Sequence, residues 1–74
     1  MNKQTAIRNA IDMAERHVNN ASSVVCLNDA KVMMNKDNIK SAFMWAKKSL
    51  CHSVGVFHED YALVANLEQT YGRD

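Results

Sequence analysis

Two stretches decide the fold of this chain: residues 7–18 (IRNAIDMAERHV) and residues 39–50 (IKSAFMWAKKSL). Both place apolar residues three, four and seven positions apart, the spacing that forms one apolar face on an α-helix. The two stretches also match each other at a distance of 32 residues. Over the longer windows 7–32 and 39–64, six aligned pairs are identical: Ile7/Ile39, Ala10/Ala42, Ala14/Ala46, Val24/Val56, Ala30/Ala62 and Val32/Val64.

A repeat of this length is typical of a helical hairpin that buries its apolar side against a second copy of itself. The sequence therefore predicts an all-α fold, a small four-helix bundle made of two similar αα-hairpins that form an internal duplication of about 32 residues. The first hairpin is expected at about residues 3–35 and the second at about residues 38–72, within a single helical domain, 1–74.

The repeat also sets the expected bounds of the first three helices. Helix 1 is predicted from residue 2 or 3 to residue 20, and helix 3 from residue 38 to residue 53. Each has a second apolar stripe beside the first, which indicates packing against two neighbours. By the repeat, helix 2 runs from residue 29 to about residue 35 with Asn28 as its N-cap. The alternative is a start near Ser23.

Helix 4 is predicted to begin at His58 and to end at Gly72. Between helices 3 and 4, Gly55 is expected in the left-handed conformation that ends many helices. Val56 or Phe57 would then fold back onto the core as the apolar contact that follows such an ending.

The composition limits the class of protein. A formal net charge of +1 is too small for nucleic-acid binding on charge alone. The lack of proline and the presence of only two glycines disfavour a β-rich or loop-rich fold. Two cysteines are too few for a disulfide framework, and the longest apolar run, residues 24–27, is far too short to span a membrane. Since the N-terminus does not resemble a signal peptide, we expect a cytoplasmic protein with reduced thiols and no cofactor.

Several Cys and His side chains are predicted at the end of the bundle where the two hairpin turns meet. Cys and His are ligands of structural zinc. Their spacing matches no zinc signature, and adjacent residues point about 100° apart on a helix, so the sequence predicts no metal site. A Cys26–Cys51 disulfide is disfavoured in a reducing compartment. The metal-stabilised alternative rests on these four candidate ligands: Cys26, Cys51, His52 and His58.

A basic strip is expected on the outer face of helix 3, where it would fit a phosphate backbone or an acidic partner helix. It contains no arginine, and Trp45 is expected to point away from it, toward the apolar side. Both features weaken nucleic-acid recognition, which is therefore the alternative function. The candidate nucleic-acid contacts are Lys36, Lys40, Lys47 and Lys48.

The second apolar stripe on helices 1 and 3 is wider than one four-helix core can cover. The residues of this second stripe either complete the core or leave an exposed contact surface for self-association, and methionine adds the adaptable apolar area of loose cores and of recognition surfaces. The candidate protein-contact residues are Met13, His17, Met44 and Trp45.

No enzyme motif stands in the chain, neither a glycine-rich phosphate loop, nor a nucleophile elbow, nor paired carboxylates on one helix face. We therefore expect a small non-enzymatic helical protein that contacts an unidentified protein partner and self-associates as a homodimer. These features fit an accessory or regulatory protein of a mobile element.

Overall fold

A computed structural model describes residues 1–73; Asp74, the last residue of the predicted domain, lies outside the described part. Four α-helices follow one another with short connections: α1 (Lys3–His17), α2 (Ala21–Asn35), α3 (Ile39–His52) and α4 (His58–Tyr71). The predicted all-α four-helix bundle is therefore confirmed. Helix 3 and helix 4 begin and end within one residue of the expected positions, whereas helix 1 ends three residues earlier than expected.

The first and third helices begin in the same way. The side chain of Asn2 accepts a 2.8 Å hydrogen bond from the backbone N–H of Thr5, and Asn38 accepts one of 3.2 Å from Ser41. Each asparagine thereby satisfies one of the N–H groups that a helix start leaves without a partner. The local sequence alone is enough to place these two helix starts.

The second helix differs from the preferred prediction, which placed its start at residue 29. Asn20 caps it instead: its side-chain oxygen accepts a 2.9 Å hydrogen bond from the backbone N–H of Ser23. The Ser23 hydroxyl accepts a 3.2 Å hydrogen bond from the backbone N–H of Asn20 in return, which completes a capping box. The start near Ser23, the alternative above, was closer, and the repeat misplaced the helix start by eight residues.

Helices α1 and α3 run in the same direction. At one end, Gln4 donates a 3.0 Å hydrogen bond to Asp37, just before α3. At the other end, the Asn19 amide donates to the Val54 carbonyl at 2.7 Å and accepts from the Val54 N–H at 3.0 Å. The turns that follow α1 and α3 therefore meet, as the predicted topology requires.

The four helices form a flat rhombus rather than a square bundle. Helices α1 and α3 each pack against all three other helices, whereas α2 and α4 do not touch within residues 1–73. The overall dimensions are 30 × 24 × 14 Å. Helix α2 packs most extensively against α3, and α4 fills the groove on the other side of the α1–α3 pair. This arrangement uses the two apolar stripes of α1 and α3 to bind one outer helix on each side.

Small residues let the central pair of helices approach closely. The aligned alanines of α1 and α3, together with Ile7 and Phe43, have no measurable exposure. Alanine keeps the interhelical distance short, so that the larger side chains fill the space on either side. On these two helices the fully buried alanines are Ala6, Ala10, Ala14, Ala42 and Ala46.

The internal duplication is not shown by the structure. The first half of each 32-residue repeat is structurally similar, because the aligned residues of α1 and α3 occupy equivalent core positions. The second half is not, because Val32 is 45% exposed on α2 whereas the aligned Val64 is fully buried on α4. The physical reason is that α2 begins five residues earlier within the period than α4, and so presents a different side to its neighbours.

The connection between α3 and α4 agrees with the prediction at Gly55 and at Val56. Gly55 has a φ of +81°, the left-handed conformation expected of it. Val56 packs against the core, whereas Phe57 is 69% exposed. Gly72 follows the last residue of α4 as its C-cap. The apolar contact after the turn is therefore made by Val56.

Candidate protein-interaction surface

The outer side of α2 carries an uncharged apolar surface, which we call the valine stripe. Its three valines, Val24, Val25 and Val32, are 41%, 58% and 45% exposed. At 100° per residue all members of the stripe fall within an arc of about 100° on the side of α2 that faces away from the core. The stripe consists of Ala21, Val24, Val25, Asn28, Val32 and Asn35.

The opposite side of α2 is also apolar, with Leu27 and Ala30 buried in the core. An apolar side of a helix is normally buried against another element. Valine is, moreover, a poorer helix former than alanine by roughly half a kcal/mol, and solvent-facing helix positions usually hold strong helix formers. Since each of the three valines leaves between 41% and 58% of its surface in solvent, the stripe has the character of an interface left open.

Charged residues border the valine stripe but do not interrupt it. On one edge, the Lys31 ammonium lies 3.1 Å from a carboxylate oxygen of Glu15 on α1. Asp29 and Lys36 lie toward the other edge. An apolar, charge-free centre with a charged rim is the composition found in protein–protein interfaces.

A shallow depression of about 340 Å³ adjoins the first turn of α2 and continues the stripe toward α3. It shares Ala21 and Val25 with the stripe, and Ser22, Cys26 and His52 complete its lining. Its surface is mainly apolar. The stripe and the depression together therefore form one continuous surface at this corner of the rhombus.

The predicted contact residues lie in different places. Met13 is only 8% exposed and belongs to the core, so it is corrected from a contact residue to a packing residue. His17 is part-buried, with its Nε2 atom 2.9 Å from Oδ2 of Asp60 on α4. Met44 is 38% exposed, and Trp45 is half-buried against the core. The structure does not bring Met13 and Met44 onto one surface, because α4 and α2 cover more of α1 than the sequence indicated.

The lysines of the basic strip have different surroundings, although the sequence suggested one continuous exposed row. Lys47 donates a 2.6 Å hydrogen bond to Glu68 on α4, and this bond, more than any other influence, raises the pKa of the ammonium above its ordinary value. Lys36 and Lys40 are exposed. Lys48 places its ammonium 4.9 Å from the centre of the Trp45 ring, a cation–π contact. Trp45 packs against the core, as expected, and also meets the edge of the strip through Lys48.

The candidate metal ligands are dispersed over both sides of α3. Cys26 is buried and lines the depression with His52. Cys51 is exposed and lies beside Tyr61 of α4, where its thiol, as hydrogen-bond partner, and then burial raise the pKa of the phenol. His58 is exposed at the start of α4. Within residues 1–73 no three His, Cys, Asp or Glu side chains lie close enough to hold a metal ion.

No family model matches this chain, and no match was found among the curated proteins or the solved structures. Among the helices of the described chain, none is long and apolar enough to cross a lipid bilayer. We did not predict the valine stripe from the sequence. Recognition of Asn20 and Ser23 as a capping box would have placed the start of α2 correctly and shown which residues share its outer side.

Proposed function

We propose that the protein is a small non-enzymatic helical interaction protein of the cytoplasm, which self-associates as a homodimer through the valine stripe. The single observation that supports this proposal most is the exposure of three valines on a helix that is apolar on both sides. Burying them against a partner would remove apolar area from water at about 25 cal/mol per Å². It would also offset the low helix propensity of valine at these positions.

The test is the mass of the protein in solution, measured by analytical ultracentrifugation from low to high concentration. We expect the wild type to pass from monomer to dimer and the Val25→Asp variant to stay monomeric, because a carboxylate would be buried in the interface. Leu63→Asp is the matched control, since Leu63 is 47% exposed on the outer side of α4. A wild type that is monomeric at every concentration would contradict the proposal.

A second candidate function, binding of nucleic acid, is favoured by one observation: the Lys48 ammonium stacks on Trp45 beside the exposed Lys40. Aromatic and cationic groups side by side are the usual elements of single-strand recognition. Helix α3 contains three lysines and no acidic residue. Because Lys47 is neutralised by Glu68, the free cations are fewer than the sequence suggests.

This second candidate predicts low-salt binding of a short single-stranded oligonucleotide that the double variant Lys40→Glu/Lys48→Glu loses. Each phosphate contact removed should also reduce the salt dependence of binding. Arg8→Glu makes the same charge change on the outer side of α1 and serves as the control. The absence of a mobility shift at low salt rules this function out.

A further inference from the structure

Helix α4 packs more weakly than the other three helices. It contains one buried residue, Val64, whereas α1 and α3 contain six each and α2 contains four. Helix α4 also packs less extensively against the rest of the chain than any other helix does. Most of the stability of a short helix in a protein comes from its packing, so α4 gains the least free energy from its neighbours.

The start of α4 lacks the cap that the other three helices have. Asn2, Asn20 and Asn38 each accept a hydrogen bond from a backbone N–H in the first turn of their helix. Phe57 stands at the same position of α4, and its side chain makes no such bond. Because the Phe57 ring is also 69% exposed, it does not anchor the start of α4 to the core.

Polar contacts with α1 and α3 supplement the packing of α4. The Nε2 atom of His17 lies 2.9 Å from Oδ2 of Asp60, and the Lys47 ammonium lies 2.6 Å from Oε1 of Glu68. All four side chains are between 22% and 32% exposed. Charge pairs that water reaches contribute little net stability, so these contacts align α4 without adding much to its attachment.

Gly55 supplies a hinge between α3 and α4. Its φ is +81°, and a Cβ added there would meet nothing within 4 Å, so the backbone has room to turn. On the α3 side of this glycine, the side chain of Asn19 binds both the N–H and the carbonyl of Val54. Rotation at Gly55 therefore moves α4 and leaves the end of α3 in place.

We infer that α4 is a hinged strap, which opens as a unit about Gly55 while α1, α2 and α3 keep their packing. These three helices remain joined because α2 and α3 share the most extensive interface and α1 packs against both. Helix α2 does not touch α4 within residues 1–73, so opening leaves it in place. Segments with few buried apolar contacts open at a lower free energy than the whole chain unfolds.

Opening of the strap changes the surface of the protein. Helix α4 covers one side of the α1–α3 pair, and a Cβ at Gly72 would lie only 3.2 Å from the Phe43 ring. Phe43 has no measurable exposure in the closed form. The open form exposes this apolar side of the pair, away from α2 and the valine stripe. The strap therefore controls a second apolar surface, which the proposed function does not involve.

Native-state hydrogen exchange of the full chain, followed by NMR, tests the strap. The backbone amides of residues 65–68 on α4 should be protected at least tenfold less than those of residues 43–46 on α3, because they exchange through opening of α4 alone. The protection of these four α4 amides should also be similar, since the helix opens as a unit. Equal protection of the two helices would overturn the inference.

The Ser49→Ala variant separates opening of the strap from unfolding of the whole chain. The Ser49 hydroxyl donates to the Ser23 carbonyl on α2, a contact that persists when α4 opens. The variant should lower the protection of the α3 amides roughly fivefold and leave that of the α4 amides unchanged. The exposed Ser22→Ala is the control and should change neither. An equal decrease in both helices would show that α4 opens only with the whole chain, which contradicts the strap.

Discussion

The hydroxyl of Ser49 on α3 donates a 2.8 Å hydrogen bond to the backbone carbonyl of Ser23 on α2, and both side chains are fully buried. The bond joins the two helices that pack most extensively against each other. Serine is small enough for this close approach, and its hydroxyl is satisfied without water. The pair explains why two polar residues lie inside a core of this size.

Replacing Ser49 tests this contact. Ser49→Ala should lower the free energy of unfolding by about 1 kcal/mol, the net value of one neutral hydrogen bond. Ser49→Val should cost more, roughly 1–3 kcal/mol, because added methyl groups do not fit between closely packed helices. Urea denaturation measures both, with the exposed Ser22→Ala as control. A Ser49→Val protein as stable as the wild type would show that the interface is looser than the hydrogen bond implies.

The start of α2 depends on Asn20. Its side chain caps the helix and also donates a 2.7 Å hydrogen bond to the His52 carbonyl at the end of α3. Asn20→Ala should therefore destabilise the protein by at least the typical 1 kcal/mol of a lost cap. Asn20→Asp keeps the cap and loses only the hydrogen bonds that the Asn20 amide donates to the His52 carbonyl and to the Asn19 side chain, so its thermal midpoint should fall less. Equal losses for the two variants would mean that the cap contributes little.

Stability should decrease at alkaline pH because Lys47 on α3 and Tyr61 on α4 lose their protons. Glu68 raises the pKa of Lys47 above 10.5, so the charged form is favoured in the folded chain and its contribution is lost as pH rises through the folded value. The Cys51 thiol and burial raise the pKa of Tyr61 above 10.0, which favours the neutral phenol and acts in the same direction. Below pH 10 both contributions are fully present. Denaturant midpoints from pH 8 to 11.5 measure the decrease.

Two variants test the assignment of this alkaline decrease. Lys47→Met and Tyr61→Phe should each make stability less dependent on pH above 10 than in the wild type, because each removes one of the two titrations. Lys40→Met is the matched control, since Lys40 is exposed on the same helix. Unchanged pH profiles for both variants would contradict the assignment.

The two glycines should respond differently to alanine. At Gly55 an added Cβ meets open space, so Gly55→Ala should cost only the roughly 1 kcal/mol of the left-handed backbone. At Gly72 a Cβ would lie 2.6 Å from the Glu68 carbonyl oxygen and 3.2 Å from the Phe43 ring. Gly72→Ala should therefore cost more and unwind the last turn of α4. Thermal unfolding by circular dichroism compares them, and the reverse order would contradict the close contact at Gly72.

Local sequence predicted α1 and α3 well, because their apolar period and their asparagine caps act within a few residues. It predicted α2 poorly because the preferred interpretation relied on the 32-residue repeat rather than on the cap at Asn20. The exposure of the candidate contact residues was predicted only in part. Met44 and Trp45 remain accessible to solvent, whereas Met13 is buried in the core. The burial of a side chain depends on how closely helices distant in the sequence pack against it.

The sequence by itself determined the helical class and the left-handed turn at Gly55, since each follows from residues close together in the chain. Tertiary structure alone decided which side of α2 faces the core. That helix carries apolar residues on two opposite sides, so its own pattern does not distinguish them. Packing against α3, through Ser23 and Ser49, buries one side and leaves the valines outside.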